Sequence, residues 1–193
     1  EAEAYLKERK GASVTVIGGG SGVGIAALID GTCDIAQSSR DIKSKETRQA
    51  KQKGVDPVET VIALDALTVI VNPANPVQKL TIEQIGNIFT GAITNWKDVG
   101  GPDKAIVVYS RESSSGTYAF FREHVLGNKE YTSAALLAPA TGAIVQSVSQ
   151  TEGAIGYVGM AYLTKDIKAV AVSKDAASPA VEASLETTVS GKY

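Results

Sequence analysis

Short apolar runs with strand-like alternation precede longer segments of helical spacing along most of this chain. The runs that predict strands are residues 14–17, 33–36, 61–71, 106–109, 156–158 and 167–172. The segments that predict helices are residues 1–10, 23–29, 44–53, 81–89, 118–126 and 143–149. Strands that alternate with helices predict an α/β fold with a mostly parallel sheet.

Polar and glycine residues mark where several of these helices begin and end. Thr81-Ile-Glu-Gln84 has the spacing of a capping box, which predicts a helix N-terminus. Gly31, Gly54 and Gly127 follow predicted helices, and glycine is common just beyond a helix C-terminus. Residues 1–10 have the pattern of the middle and end of a helix without its cap. We therefore expect the 193 residues to be a piece of a longer polypeptide.

Two of the predicted strand-to-helix junctions have the composition of an anion site. The first is Gly18-Gly-Gly-Ser-Gly-Val-Gly24, where glycine allows close backbone approach and Ser21 offers a hydroxyl donor. The second is Arg111-Glu-Ser-Ser-Ser-Gly-Thr117, where hydroxyls surround a helix start beside one guanidinium. Free N–H groups at helix N-termini attract anions, and arginine suits phosphate-like oxygens. A capped helix with a solvated arginine explains the second junction alone equally well, but two such junctions favour an anion site.

Named glycine-loop motifs fit the first junction only in part. A P-loop requires lysine where Ile25 stands, and a nucleophile elbow requires glycine where Val23 stands. Residues 22–27 match the G-x-G-x-x-A dinucleotide fingerprint, and Asp41 follows at a suitable distance. His124 is the only histidine, and the sequence places no acidic residue to orient it. A dinucleotide-binding enzyme domain therefore stays open as an alternative.

Composition limits the other possibilities. The 193 residues are 44% hydrophobic, enough to bury a core as one domain or two small ones. Nineteen Lys and Arg against 21 Asp and Glu give a net charge of −2, so we expect no nucleic-acid partner and only a local anion site. The single Cys33 excludes an internal disulfide and a cysteine-only zinc site. No apolar run reaches the roughly 20 residues that span a bilayer, and we expect no cofactor or metal.

A third polar loop, residues 37–41, follows the end of another predicted strand. Its Ser38, Ser39 and Arg40 are candidates for the same cleft, because ligands in α/β sheets bind beyond the carboxyl ends of strands. Arg40 is equally well explained as a surface residue. The breaker Asn72-Pro-Ala-Asn-Pro76 separates the two glycine-containing junctions, which suggests two lobes with a ligand between them.

Five motifs occur in the order seen in phosphate-binding proteins of the PstS type, and the chain resembles that family over nearly its whole length. They are residues 18–24, 34–40, 88–96, 111–117 and 153–157. The resemblance implies a two-lobed periplasmic-binding-protein fold of type II, in which two α/β domains with mixed sheets are joined by two crossing segments. Lobe I would comprise residues 1–68 and 164–193, and lobe II residues 69–163. The crossings would lie near 67–72 and 155–163.

The resemblance also implies a function without catalysis. Such proteins are extracytoplasmic receptors that close over inorganic phosphate and deliver it to an ABC-type permease in the membrane. We therefore expect a monomer that is periplasmic or extracellular, either free or lipid-anchored to the outer face of the cytoplasmic membrane. The ligand-binding residues implied are Ser21, Gly22, Ser39, Arg40, Arg111, Ser115, Gly116 and Thr117.

The chain departs from the family pattern at positions that bear on selectivity. Some relatives carry aspartates where this chain has Ser39 and Ser113. A carboxylate there accepts a hydrogen bond from protonated phosphate and repels sulfate. Neighbouring Asp41 and Glu112 are candidate substitutes. A receptor for sulfate, molybdate or another tetrahedral oxyanion is thus an alternative, and a further family loop would lie upstream of Glu1.

Overall fold

The computed structural model describes residues 2–193, which form helices, short strands and long connecting segments. The helices are α1 (Ala2–Glu8), α2 (Ser21–Ile29), α3 (Ser44–Gln52), α4 (Ile82–Thr90), α5 (Gly116–His124), α6 (Thr141–Gln150) and α7 (Leu185–Val189). The strands are β1 (Leu67–Val71), β2 (Lys79–Thr81), β3 (Val107–Arg111), β4 (Leu136–Ala138), β5 (Ala154–Gly159), β6 (Lys168–Ala169) and β7 (Ala171–Ser173). Trp96–Val99 and Met160–Tyr162 form 3-10 turns. Within residues 2–193, no helix is long and apolar enough to cross a membrane.

The main sheet is mixed. It has five strands in the order β4-β3-β5-β1-β6. Strand β3 runs parallel to β4 and β5, whereas β1 runs antiparallel to β5 and β6. Strands β2 and β7 form a separate parallel pair. The expectation of a mostly parallel sheet is therefore wrong, because β1 and β5, the two predicted crossing segments, lie side by side in opposite directions.

Both faces of this sheet are covered, because successive side chains of a strand point to opposite sides. Val69 and Val71 of β1 join a large cluster that contains Phe89, Trp96 and Phe121. Ile70, between them, joins a second cluster with residues of α6 on the other face. The indole of Trp96 is fully buried and donates to the Gly153 carbonyl at 2.9 Å. Burial on two faces explains why β1 and β5 are almost continuously apolar.

Helix ends agree well with the sequence signals. Thr81 Oγ1 accepts the Gln84 N–H at 3.0 Å, and Gln84 Oε1 accepts the Thr81 N–H at 2.9 Å. The predicted capping box is confirmed. Gly31, Gly54 and Gly127 all adopt positive φ beyond their helices, a conformation that costs glycine little.

Three strand predictions fail wholly or in part. Residues 14–17 and 33–36 form no strand, and of residues 61–71 only Leu67–Val71 does. A strand needs a neighbour for its backbone N–H and C=O groups, and among residues 2–193 no backbone hydrogen bond pairs residues 14–17 or residues 33–36 with a neighbouring segment. Their apolar side chains are accordingly exposed, Ile17 by 78% and Ile35 by 83%.

The long connections bring α2 beside the end of β3. Helices α2 and α3 pack through Ile25, Ile29 and Ala50, a small cluster separate from the two that cover the sheet. The N-terminus of α2 then lies against the turn that joins β3 to α5. Both glycine-containing junctions therefore meet in one place.

Candidate anion site

The first glycine-rich junction contacts the backbone of the second directly. The Gly22 N–H donates to the Ser114 carbonyl at 2.9 Å. A Cβ on Gly20 would lie 2.5 Å from that carbonyl oxygen, closer than any real Cβ approaches an atom. The close backbone approach predicted for this loop is present, and the group that the loop approaches is the other junction of the same chain.

Ser21, Ser39 and Gly116 are brought together. The Ser39 N–H donates to Ser21 Oγ at 3.1 Å, and the two serine Oγ atoms are 3.4 Å apart. A Cβ on Gly116 would lie 2.2 Å from Ser21 Oγ and 2.5 Å from Ser39 Oγ. Loops that are far apart in sequence thus place two hydroxyls against the first residue of α5, as an anion site requires.

Ser115 and Thr117 complete the polar surface at the start of α5. Ser115 caps the helix, since its Oγ accepts the Tyr118 N–H at 3.4 Å and lies 2.7 Å from Thr117 Oγ1. Within the described chain, no acceptor is bonded to the N–H of Gly116 or Thr117. First-turn N–H groups of a helix have no intrahelical partner and carry partial positive charge. These two N–H groups and the nearby hydroxyls are therefore available donors.

Arg111 lies at the end of β3 and is held by acceptors that the sequence did not indicate. Its guanidinium donates to the carbonyls of Ala138 at 3.3 Å and Pro139 at 3.0 Å, and to Thr141 Oγ1 at 2.7 Å. A guanidinium carries one N–H on Nε and two on each Nη. One N–H on each Nη therefore stays free of these three bonds.

Arg40 is not brought to the hydroxyls. Its guanidinium forms a bidentate pair with Glu46 of α3, with N–O distances of 2.7 and 2.9 Å, and donates to the Asp41 carbonyl. Hydrogen bonding from Arg40 holds the pKa of Glu46 below its usual range, against an opposing effect of burial. The pair explains Arg40 as a structural residue that joins the third loop to α3, and its binding role stays a prediction.

Carboxylates are not bonded to the hydroxyl cluster in the described part of the chain. The hydrogen bonds of Ser21, Ser39 and Thr117 run to other hydroxyls and to N–H groups. Asp41 and Glu112 are both exposed. Their role as substitutes for the aspartates of relatives therefore stays a prediction, and the hydroxyl cluster itself offers only neutral donors.

Residues of a buried hydroxyl network were missed by the sequence analysis. Ser110 Oγ lies 2.9 Å from the Tyr157 hydroxyl, which lies 3.0 Å from the Tyr131 hydroxyl. Burial raises the pKa of both tyrosines above its ordinary value. Tyr157 belongs to the motif at residues 153–157, but nothing in the sequence connects it to Ser110, 47 positions away.

An open cleft of about 1290 Å³ adjoins the cluster. Ser39 and Thr117 line it, together with the exposed apolar residues Val61 and Leu64. The volume exceeds what one small oxyanion needs, so the convergent hydroxyls and N–H groups, rather than the cleft as a whole, define the candidate site.

The sequence matches the PBP superfamily domain over residues 1–193. The chain belongs to this family. The two junctions that supply N–H and hydroxyl donors at the starts of α2 and α5 are therefore parts of a PBP domain. The alternative of a dinucleotide-binding enzyme domain loses its basis. The Gly22 N–H of that fingerprint is already bonded to Ser114.

Relatives of this PBP domain include named phosphate-binding proteins. The protein SphX of Synechococcus elongatus is 34% identical over 201 residues, which cover 100% of this chain and 59% of SphX. The phosphate-binding protein PstS of Pseudomonas aeruginosa is 31% identical over 205 residues, covering 100% of this chain and 64% of PstS. The chain thus spans less than two thirds of the length of these curated relatives.

Two solved structures are also similar to this chain. A protein of Clostridium perfringens, assigned as a phosphate ABC transporter substrate-binding protein and solved with bound phosphate, is 38% identical with a TM-score of 0.87, covering 100% of this chain and 74% of that one. An ABC-type phosphate transport receptor from Vibrio cholerae is 30% identical with a TM-score of 0.73, covering 100% and 75%. The predicted fold class, an α/β fold of the periplasmic-binding-protein type with mixed sheets, is confirmed.

Proposed function

We propose that this PBP domain captures inorganic phosphate between two lobes and delivers it, chemically unchanged, to an ABC-type permease. The observation that carries the proposal is the convergence of Ser21 and Ser39 on Gly116 at the N-terminus of α5. Relatives over the whole chain are named for phosphate binding, which supports the same ligand. A receptor of this kind works outside the cytoplasmic membrane, so we infer a periplasmic or extracellular location, either free or lipid-anchored, and a monomer.

Neutral donors would carry most of the binding. The proposed ligands are Ser21, Ser39, Arg111, Ser115, Gly116 and Thr117. The predicted ligand Gly22 is left out, because its N–H already donates to the Ser114 carbonyl. Arg40 would act indirectly, since its pair with Glu46 holds the third loop against α3. N–H groups and hydroxyls in a water-excluded site hold an anion without a counter-charge for each oxygen. Arg111 would supply charge through the N–H groups that Ala138, Pro139 and Thr141 leave free. Each hydrogen bond to a charged group contributes about 1.5–3 kcal/mol.

Entry of the anion requires the two junctions to separate. The Gly22 N–H bond to Ser114 joins residues of the proposed lobe I (1–68 and 164–193) and lobe II (69–163). Strands β1 and β5, antiparallel neighbours, would form the hinge. The position of the lobe boundary near residue 163 stays a prediction. Strands β6 and β7, which follow that boundary in the chain, pair with β1 and β2. Closure around phosphate would be the signal that the permease reads.

Binding without chemistry fits the surroundings of the hydroxyls. His124 Nδ1 lies 3.0 Å from the Phe120 carbonyl, and its ring stacks on Phe120 at 4.1 Å. It forms no hydrogen bond with Ser21, Ser39, Ser115 or Thr117 in the described residues. A serine nucleophile needs an adjacent base to activate it, so we propose a receptor rather than an acyl- or phosphoryl-transfer enzyme.

The test is calorimetric titration of the protein with phosphate, sulfate and molybdate. Arg111→Ala should weaken phosphate binding about tenfold to a hundredfold, the scale of a charged hydrogen bond. Arg122→Ala is the matched control, since Arg122 also donates to two backbone carbonyls but lies outside the cluster. Equal phosphate affinity of Arg111→Ala and wild type would contradict the site.

A receptor for another tetrahedral oxyanion is the second candidate. It is favoured by the hydroxyl cluster, in which no described hydrogen bond involves a carboxylate. A serine hydroxyl both donates and accepts, so it tolerates an unprotonated oxyanion that a carboxylate would repel. Sulfate binding as tight as phosphate binding would select this candidate, and phosphate binding alone would exclude it.

A further inference from the structure

A chain of buried and half-buried hydroxyl groups runs beneath the proposed anion site and joins the two ends of its turn. The Tyr157 hydroxyl lies 2.9 Å from Ser110 Oγ and 3.4 Å from the Arg111 N–H nitrogen, both at the end of β3. It lies 3.0 Å from the Tyr131 hydroxyl, which donates to the Tyr118 carbonyl at 3.2 Å. Tyr118 lies in the first turn of α5. The network therefore spans from the last strand residue before the turn to the helix after it.

The direction of the bonds is determined by the groups at its ends. A carbonyl only accepts, so the Tyr131 proton goes to Tyr118. Tyr157 must then donate its own proton to the Tyr131 oxygen. The Tyr157 oxygen is left to accept from the Arg111 N–H, while the single Ser110 proton lies within reach of both the Tyr157 oxygen and the Arg111 carbonyl, 3.3 Å from Ser110 Oγ. The protons of the two tyrosines thus have one arrangement, which favours a rigid polar network.

Packing holds the two phenol rings in place. Tyr157 is 1% exposed, and its ring stacks on Phe121 of α5 at 4.2 Å with an angle of 12°. Tyr131 stacks on Tyr118 at 4.6 Å. Phenylalanine would pack in the same space, and a buried hydroxyl loses its hydration. Since burial raises the pKa of both tyrosines, both hydroxyls keep their protons at neutral pH.

We propose that Tyr131 and Tyr157 are positioning residues of the anion site. Their hydroxyls fix the end of β3 relative to the first turn of α5 and so fix the direction of the Gly116 and Thr117 N–H groups. The role rests on the proposed function, in which those N–H groups bind the anion. Donors held in position before the ligand arrives bind it more tightly, because less ordering is needed on binding.

Tyr157→Phe and Tyr131→Phe test the role against a matched control, Tyr193→Phe. The Tyr193 hydroxyl is bonded to the Leu67 carbonyl at 3.1 Å, away from the turn. Each of the first two variants should bind phosphate about threefold to tenfold more weakly, the scale of one net hydrogen bond. Because the hydroxyls act as one chain, the double variant should be little weaker than either single one. Tyr193→Phe should keep wild-type phosphate affinity, even if its urea midpoint falls as far as the midpoints of the other two variants.

A second readout does not depend on any ligand. In the unliganded protein, backbone 15N order parameters at Gly116 and Thr117 should fall from about 0.85, typical of rigid backbone, toward about 0.6 in Tyr157→Phe and Tyr131→Phe only. Order parameters and phosphate affinities equal to those of Tyr193→Phe would overturn the proposal. If wild type binds no phosphate, the proposed function fails. The order parameters then decide alone whether the tyrosines fix the turn.

Discussion

Gly20→Ala isolates the contact between the two junctions, because alanine adopts the Gly20 backbone conformation without strain. Gly20 has φ −82° and ψ 171°, an extended conformation open to any residue. The added Cβ would lie 2.5 Å from the Ser114 carbonyl oxygen and 2.9 Å from the Ser115 nitrogen. Ordinary contact begins at 3.4 Å. Since these are backbone atoms, they cannot rotate away as a side chain would.

The size of the effect of Gly20→Ala follows from the backbone atoms that must move to accommodate the new Cβ. Separating the loop from the turn stretches the Gly22 N–H bond to Ser114, now 2.9 Å, and a lost hydrogen bond costs about 1 kcal/mol. Overpacking costs about 1–3 kcal/mol. The smaller entropy of the unfolded alanine chain, about 0.4–1 kcal/mol, changes the unfolding free energy but not the balance between open and closed forms. We expect the closed form to lose about 1–3 kcal/mol, which is about tenfold to a hundredfold in phosphate affinity.

Gly18→Ala is the control, two positions earlier in the same loop. A Cβ there meets nothing within 4 Å, and its φ is not positive. This variant should keep phosphate affinity and gain about 0.4–1 kcal/mol of unfolding free energy. Urea unfolding and phosphate calorimetry on both variants measure the two quantities. Equal behaviour of Gly18→Ala and Gly20→Ala would refute the contact between the junctions and the site built on it.

Two further predictions concern the arginines. Thr141→Val removes the acceptor 2.7 Å from Arg111 Nη1, so calorimetry should record about threefold to tenfold weaker phosphate binding; unchanged affinity would show that Thr141 does not orient Arg111. Because the folded pKa of Glu46 is lowered, its pairing with Arg40 stabilises above about pH 4.3 and is lost as pH falls through the folded value. Urea unfolding from pH 7 to 3 should show a smaller acid loss in Glu46→Gln, and an identical pH profile would contradict the pair.

Local signals predicted helices better than strands for a physical reason. A helix satisfies its own backbone, so the Thr81 capping box and the glycines at 31, 54 and 127 were sufficient to indicate the helix ends. A strand needs a partner, and the alternation at residues 14–17 and 33–36 contains no information about one. The short strands β2 and β4 were missed because three residues carry too little pattern.

The candidate site likewise has some residues that the sequence predicted and others that it did not. Ser21, Ser39 and Gly116 were predicted from loop composition and the order of motifs, and the structure brings them together. The partners of Arg111 could not be predicted, since Ala138 and Thr141 lie 27 and 30 residues further on and one of them contributes only a carbonyl. Tyr131 and Tyr157 have the apolar neighbours of ordinary core residues, and only their hydroxyl contacts distinguish them.

Glycines make close contacts at both ends of the proposed closing movement. At the site, Gly20 and Gly116 allow the loops to meet. At the proposed hinge, the Asp65 carboxylate accepts the Met160 N–H at 3.2 Å and the Ala66 N–H at 2.9 Å, which ties the start of β1 to the end of β5. A Cβ on Gly159 would lie 2.3 Å from the same carboxylate. The Gly20 contact is with backbone atoms, which cannot rotate away, so it favours one discrete geometry for the proposed closed arrangement. A discrete closed state is what a permease needs to distinguish a loaded receptor from an empty one.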